Sequence, residues 1–166
     1  MTSRQKKGRA SMVAEGKKAP NFKLASDAGE VVELAKLKGR PVVVYFYPKD
    51  DTSGCTTEAR DFSAAAEDFA EAGAVILGIS PDSTESHCKF KAKHDLAVTL
   101  LADTDKEAAT AYGVWVEKSM YGKKYMGVER STFLIDATGK VAKAWSKVKV
   151  NGHVADVLAE VRKLTA

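Results

Sequence analysis

Cys55 is the residue of this sequence best placed to do covalent chemistry, because it stands where a turn passes into a helix. The residues before it, 50–54, read Asp-Asp-Thr-Ser-Gly, a composition typical of turns. From Glu58 onward, the apolar side chains follow a helical period. A thiol at a helix N-terminus meets unpaired N–H groups and the positive end of the helix dipole, and both favour the nucleophilic thiolate. The pattern therefore indicates a reactive cysteine.

A buried strand must carry the chain to this cysteine. Residues 42–47, Val-Val-Val-Tyr-Phe-Tyr, form an unbroken apolar and aromatic run, as in strands that are buried on both faces. Pro48 ends the strand, because proline donates no hydrogen bond to a neighbouring strand. The predicted helix runs from Cys55 to about residue 72 and stops at Gly73, a typical C-cap residue.

The remaining pattern predicts an α/β fold with a central mixed β-sheet flanked by helices. A second buried strand, residues 74–80, follows the helix, and the order strand, helix, strand is typical of a parallel crossover. The other expected elements are an N-terminal β-hairpin (22–24 and 31–34), a helical turn (34–37), a helix from 82 or 83 to 94, a strand (99–101), a helix (103–112), an irregular loop (114–128), a second hairpin (130–136 and 141–145) and an amphipathic helix (153–164). We expect residues 13–166 to form a single domain, because no repeat or linker divides them.

The net charge of +4 comes from one end of the chain. Residues 1–18 hold six basic residues and one acidic residue, so the rest of the chain is close to neutral. We expect residues 1–12 to be a disordered basic tail, and we infer no nucleic-acid partner from it. The sequence has no secretory signal and no apolar run near the roughly 20 residues of a membrane helix. We therefore expect no membrane partner and a cytoplasmic location.

The segment Pro48-x-x-x-Thr52-x-x-Cys55 is similar to the active-site motif of the peroxiredoxins. Residues 45–49 (Tyr-Phe-Tyr-Pro-Lys) and 130–136 (Arg-Ser-Thr-Phe-Leu-Ile-Asp) resemble the bacterioferritin comigratory protein branch, also called peroxiredoxin Q. The resemblance extends from about residue 13 to the C-terminus and implies a thioredoxin-like fold. It also implies a thiol peroxidase that acts on hydrogen peroxide and organic hydroperoxides. Thioredoxin or a similar dithiol would reduce the enzyme, and no metal, haem or flavin cofactor would be needed.

The resemblance also implies a role for each residue of the motif. Cys55 would be the nucleophile that attacks the O–O bond and becomes a sulfenic acid. Thr52 would hydrogen-bond the sulfur or the peroxide, unless it is only a turn residue. Pro48 would shape and dry the pocket, and Arg130 would stabilise the thiolate and the leaving oxygen. Glu58 would either orient Arg130 or interact with the first helical turn.

Cys88 is the candidate resolving cysteine, although its position is unusual. Some relatives carry that residue five positions after the nucleophile, but Arg60 stands there in this chain. Others carry it on the helix after the second strand, at a position that aligns with Lys91, one turn beyond Cys88. A disulfide needs Cα atoms within about 7 Å, so local unfolding would have to accompany the reaction. The alternative is a one-cysteine enzyme that uses an external thiol. With an internal partner, we expect a monomer.

Two other classes of function stay open at this point. Cys55 and Arg60 form Cys-x4-Arg, one residue short of the Cys-x5-Arg phosphate cradle of a phosphatase. A thioredoxin-like binding module without catalysis is the second alternative. His87 and His94 have neither the spacing nor the further ligands of a metal site, so we expect both to be surface residues and predict no metal.

Overall fold

A computed structural model describes residues 12–165, so the predicted basic tail lies outside the described residues except for Met12. The strands are β1 (Lys23–Ser26), β2 (Val31–Glu33), β3 (Val42–Phe46), β4 (Val75–Ser80), β5 (Thr99–Ala102), β6 (Trp115–Met120), β7 (Lys123–Val128), β8 (Ser131–Ile135) and β9 (Val141–Trp145). The α-helices are α1 (Ser53–Ala64), α2 (Ala66–Glu71), α3 (Thr84–His94), α4 (Glu107–Ala111) and α5 (His153–Thr165). A 3-10 turn, Leu34–Leu37, precedes β3. The expected N-terminal hairpin is present as β1 and β2.

Seven of these strands form one mixed sheet in the order β2-β1-β5-β4-β3-β8-β9. The central strands β3, β4 and β5 are parallel, whereas β8 runs antiparallel to β3. The register pairs Phe46, the last residue of β3, with Ser131, the first residue of β8. The chain that leaves β3 and the chain that enters β8 therefore meet at the same edge of the sheet.

Strand β3 lies between two apolar layers, because its successive side chains point to opposite faces of the sheet. Its first, third and fifth residues belong to a layer that also contains residues of α4. Its second and fourth residues belong to the layer with residues of α1, α2, α3 and α5. Every residue of β3 is at most 2% exposed. Burial on both faces explains the unbroken apolar run in the sequence.

The prediction of an irregular loop at residues 114–128 is wrong, because β6 and β7 form a separate two-stranded sheet there. Tyr121 and Gly122 make the turn with φ of 52° and 78°. Positive φ at both positions is what a two-residue hairpin turn requires. Most side chains of both strands are exposed or half-buried, so the sequence lacks the apolar alternation that would have revealed the strands.

The helix predicted from Cys55 to about residue 72 is in fact two helices. Helix α1 begins at Ser53, so Cys55 is its third residue. Ala65 separates α1 from α2 and has φ of −97° and ψ of 6°, outside the α-helical region. No helix within residues 12–165 has both the length and the apolar character that a bilayer span needs.

Candidate active site

Three parts of the chain meet at the carboxyl end of β3. The loop of residues 47–52 leaves β3 and turns into α1, which places Cys55 in the first helical turn. Arg130 directly precedes β8, and β8 starts beside the end of β3. The sheet register therefore brings together Cys55 and Arg130, which lie 75 positions apart in the sequence.

The sulfur of Cys55 is in contact with the guanidinium of Arg130. Nη2 of Arg130 donates a hydrogen bond to Sγ of Cys55 at 3.3 Å. Cys55 is 1% exposed, and Thr52 is the N-cap residue of its helix. The sulfur thus lies in the turn whose backbone N–H groups have no partner inside the helix. A thiolate here has two sources of stabilisation, the guanidinium and the positive end of the helix dipole.

Glu58 binds the same guanidinium through its other nitrogen. Nη1 of Arg130 donates to Oε1 of Glu58 at 2.7 Å. The side chain of Glu58 is 0% exposed and that of Arg130 is 17% exposed. Burial lowers the pKa of Arg130, but the negative charges of Cys55 and Glu58 outweigh it and raise that pKa above its ordinary value. Arg130 is therefore charged and fixed between the two groups.

The carboxyl group of Glu58 lies in an environment that disfavours its charge. Burial raises the pKa of Glu58 to about 7, although the charge of Arg130 acts in the opposite direction. Within residues 12–165, Oε2 of Glu58 and the buried hydroxyl of Tyr45 have no hydrogen-bond partner. Of the two roles predicted for Glu58, this geometry favours the orientation of Arg130, because its one bonded oxygen is used for that contact.

Gly54 is a site residue that sequence reasoning missed. A β-carbon at position 54 would lie 3.1 Å from Nη2 of Arg130 and 3.7 Å from its Cζ. The guanidinium therefore crosses the first turn of α1 at a place where only a hydrogen is present. In the sequence, Gly54 is one more residue of a predicted turn, and nothing in that turn reveals the close approach of Arg130.

Thr52 and Pro48 lie in the loop between β3 and α1. The hydroxyl of Thr52 donates to the carbonyl of Lys49 at 2.9 Å. Because that proton is used inside the loop, the oxygen can interact with a hydroperoxide O–H as an acceptor. Pro48 is half-buried and directly follows Tyr47, which is fully buried at the start of the loop.

Cys88 lies far from this constellation. In the described part of the chain both cysteines are free thiols, Cys55 buried and Cys88 exposed. Sγ of Cys88 donates to the carbonyl of Asp27 at 3.0 Å, and Lys91 forms an ion pair with the Asp27 carboxylate at 2.8 Å. Asp27 directly follows β1, which stands three places from β3 in the sheet, or about 14 Å. The structure thus holds the two sulfurs apart.

The expectation that His87 is a surface residue is wrong, because its side chain is fully buried. Its ring contacts the carboxylate of Asp50 and the carbonyl of Leu101. His94 is also largely covered, with 17% of its side chain exposed and a 2.8 Å contact to Asp51. Charged neighbours along α3 hide this buried face in the sequence. Within residues 12–165, no group of three His, Cys, Asp or Glu side chains could hold a metal ion.

Lys118, on β6, is a second residue near the site that sequence reasoning missed. Burial and the charge of Arg130 lower the pKa of Lys118, while Glu129 and Cys55 act in the opposite direction. Strand β6 of the small hairpin therefore adds a second cation within electrostatic reach of Cys55 and Arg130.

Fold and site together define a cysteine-nucleophile enzyme built on a mixed α/β sheet. The sequence pattern of the AhpC/TSA family matches residues 15–144, and the chain belongs to this family. Among its relatives, peroxiredoxin Bcp of Bacillus subtilis is 53% identical over 150 residues, which cover 90% of this chain and 96% of the relative. A putative peroxiredoxin Bcp of Coxiella burnetii is 51% identical, with 88% and 97% covered.

The solved structures with this fold include the bacterioferritin comigratory protein of Xanthomonas campestris, described as a trapped intermediate/ligand complex that informs alkyl peroxide reduction. It matches with a TM-score of 0.84 and 46% identity over 87% of this chain and 92% of the other. The resemblance to the peroxiredoxin Q branch and the predicted thioredoxin-like fold are both confirmed.

Proposed function

We propose that this chain is a thiol-dependent peroxidase that reduces hydrogen peroxide and alkyl hydroperoxides through Cys55. The double contact of Arg130, with Sγ of Cys55 on one nitrogen and Oε1 of Glu58 on the other, is the observation that carries the proposal. Its relatives are named peroxiredoxins, and one of them is described as reducing alkyl peroxides. The geometry supplies what that reaction needs, a buried sulfur and a fixed positive charge beside it.

In the first step, the Cys55 thiolate attacks the terminal oxygen of the hydroperoxide. An S–O bond forms and the O–O bond breaks, so the sulfur is oxidised to a sulfenic acid and the peroxide is reduced. Arg130 stabilises the negative charge on the departing oxygen, which takes a proton from solvent and leaves as alcohol or water. The hydroxyl oxygen of Thr52 accepts a hydrogen bond from the O–H of the hydroperoxide, and Pro48 covers one side of the reacting atoms.

Cys88 is proposed as the resolving thiol. Its sulfur attacks the sulfenic sulfur of Cys55, an S–S bond forms, and the hydroxyl group leaves as water. A dithiol such as thioredoxin then reduces the disulfide by thiol exchange. The chain works as a monomer, because both thiols of the cycle belong to the same chain. Its compartment is a reducing one such as the cytoplasm, where thiols stay reduced between turnovers.

A phosphatase is the less favoured second class of function. Arg60 is exposed, and the guanidinium that contacts Cys55 belongs to Arg130. A phosphate cradle needs backbone N–H groups and an arginine within one loop, whereas Arg130 lies 75 positions away in the sequence, directly before β8. A thioredoxin-like binding module without catalysis would need neither the buried sulfur nor the fixed guanidinium.

Mass spectrometry after one equivalent of hydrogen peroxide tests the proposal. The wild-type protein should lose two hydrogens and give a peptide that links Cys55 to Cys88. In C88S, Cys55 should gain one oxygen, and C55S should be unchanged under the same conditions. If the wild-type protein keeps both thiols, the peroxidase proposal fails. If it gains one oxygen without a cross-link, the resolving role of Cys88 fails, and an external thiol takes its place.

A further inference from the structure

The carboxylate of Asp50, in the loop before Cys55, is held by three side chains. Oδ1 accepts from the hydroxyl of Tyr47 at 2.6 Å. Oδ2 accepts from the hydroxyl of Ser86 at 2.7 Å and lies 2.7 Å from Nδ1 of His87. Ser86 and His87 belong to the first turn of α3, the helix that carries Cys88. The loop of the nucleophile is therefore bound directly to the start of the other cysteine's helix.

The contact between Asp50 and His87 is an ion pair inside the protein. Nε2 of His87 lies 2.8 Å from the carbonyl of Leu101, which can only accept, so this nitrogen carries a proton. Nδ1 faces a carboxylate that already accepts from Tyr47 and Ser86, so it carries a proton as well. Burial lowers the pKa of His87, but the hydrogen bond and charge of Asp50 outweigh it and raise that pKa. Charge-assisted bonds of this kind are the strong ones.

Helix geometry places Cys88 on a different side of α3 from the residues that contact Asp50. At about 100° per residue, Cys88 is about 160° around the helix from both Ser86 and Phe90, and about 100° from His87. Phe90 belongs to the apolar layer that contains Cys55, whereas Cys88 bonds the carbonyl of Asp27 near β1. A disulfide with Cys55 therefore needs the first turn of α3 to unwind.

We propose that the contact of Asp50 with Ser86 and His87 is the gate for disulfide formation. This inference rests on the proposed function, and it makes His87 a positioning residue that controls when Cys88 reaches the sulfenic acid of Cys55. While the gate is closed, α3 stays wound and the sulfenic acid persists. When it opens, the Cys88 sulfur attacks Cys55, the S–S bond forms and the hydroxyl group leaves as water.

The chain leaves little freedom for the alternative in which Cys88 moves while the gate stays closed. His87 and Cys88 are consecutive residues, so their Cα atoms are about 3.8 Å apart. A His87 side chain seated between Asp50 and Leu101 therefore fixes Cys88 to within a few ångström of its present place. A disulfide requires Cα atoms within about 7 Å. Cys88 lies beside the end of β1 and Cys55 follows β3, and these two strands are three places apart in the sheet.

The test compares two steps in wild type and H87Q by rapid-quench mass spectrometry after one equivalent of hydrogen peroxide. H87Q loses the charge-assisted bond to Asp50, so its Cys55–Cys88 disulfide should form about tenfold faster. Formation of the sulfenic acid should stay within about threefold of wild type, because Cys55, Arg130 and Glu58 are untouched. K89Q, at an exposed position in the middle of α3, is the matched control, and its disulfide should form at the wild-type rate.

A second, milder variant allows the proposal to be tested even if H87Q folds poorly. S86A removes one hydrogen bond to Asp50 at a half-buried position and should speed disulfide formation about threefold, with an unchanged circular dichroism spectrum. In both variants, excess peroxide should convert less Cys55 to sulfinic acid. Equal or slower disulfide formation in H87Q and S86A overturns the gate while leaving the peroxidase intact. Absence of a sulfenic acid in wild type would instead overturn the proposed function.

Discussion

Gly54 and Arg130 fit together because position 54 has no side chain: a β-carbon there would lie 3.1 Å from Nη2 of the guanidinium. The same nitrogen donates to Sγ of Cys55. The absence of one methyl group in the first turn of α1 thus allows the charge to reach the sulfur. Glu58 holds Arg130 in place, and Gly54 leaves the room that its guanidinium needs.

The variant G54A should therefore separate activity from stability. Alanine is favoured over glycine inside a helix by about 1 kcal/mol, so the free energy of unfolding should not fall. A shift of the guanidinium by a few tenths of an ångström should slow Cys55 oxidation by about threefold to tenfold. Stopped-flow oxidation by hydrogen peroxide and urea unfolding check the two quantities. S53A, in the same turn, is the control, and an unchanged oxidation rate in G54A would contradict the packing argument.

Arg130 itself should account for a larger part of the rate. R130Q removes the positive charge and should slow Cys55 oxidation by about a hundredfold to a thousandfold. R130K keeps the charge but cannot bond Cys55 and Glu58 as a planar fork, so its oxidation rate should lie between those of wild type and R130Q. The double variant R130Q/E58Q removes the buried carboxylate that R130Q leaves without its partner. If R130Q keeps the wild-type rate constant, the assigned role is wrong.

Glu58 should make the stability of the protein depend on pH. Its pKa in the folded protein, about 7, lies above the ordinary 4.5, so between these values the folded state binds more protons than the unfolded state. This contribution to stability is complete below pH 4.5 and is lost as the pH rises through about 7. Between pH 5 and pH 8, the Tm of wild type should fall several degrees relative to that of E58Q. E67Q, at an exposed carboxylate on α2, should follow wild type, and parallel curves for E58Q and wild type would refute the assignment.

Gly78, on β4, lies close to the ring of Tyr45, much as Gly54 lies close to the guanidinium of Arg130. A β-carbon there would lie 2.7 Å from Cζ and from the hydroxyl oxygen of Tyr45. G78A should therefore lower the free energy of unfolding by about 1–3 kcal/mol, as overpacking does. In the Y45L background the cost should be smaller, because both the ring and its hydroxyl oxygen are gone. Urea unfolding of the four proteins measures the coupling, and an equal cost in both backgrounds would show that Tyr45 is not the obstacle.

Much of the fold and the position of Cys55 could be predicted from local patterns. The apolar run of β3, the turn before Cys55 and the helical period after it are neighbours in sequence, so they report directly on local structure. Arg130 could not be predicted in this way, because its partner Cys55 lies 75 positions away and no local pattern distinguishes it from the other arginines. Only the family resemblance pointed to it.

Other features depend on contacts that a sequence does not express. The close approach at Gly54 comes from the guanidinium of Arg130, which is distant in the sequence. The burial of His87 comes from Asp50 in a distant loop, while its charged neighbours in α3 predict a surface position. The strands β6 and β7 pair with each other outside the main sheet, so neither needs the apolar alternation by which strands are recognised.

The unequal burial of the two sulfurs also fixes the order in which a thiol reagent can label the reduced protein. Cys88 is exposed at the surface, whereas Cys55 is 1% exposed. Brief treatment with a bulky maleimide should modify Cys88 and leave Cys55 for a second, smaller label. One chain can thus carry two different probes, without mutation, on the two cysteines that the proposed cycle brings together.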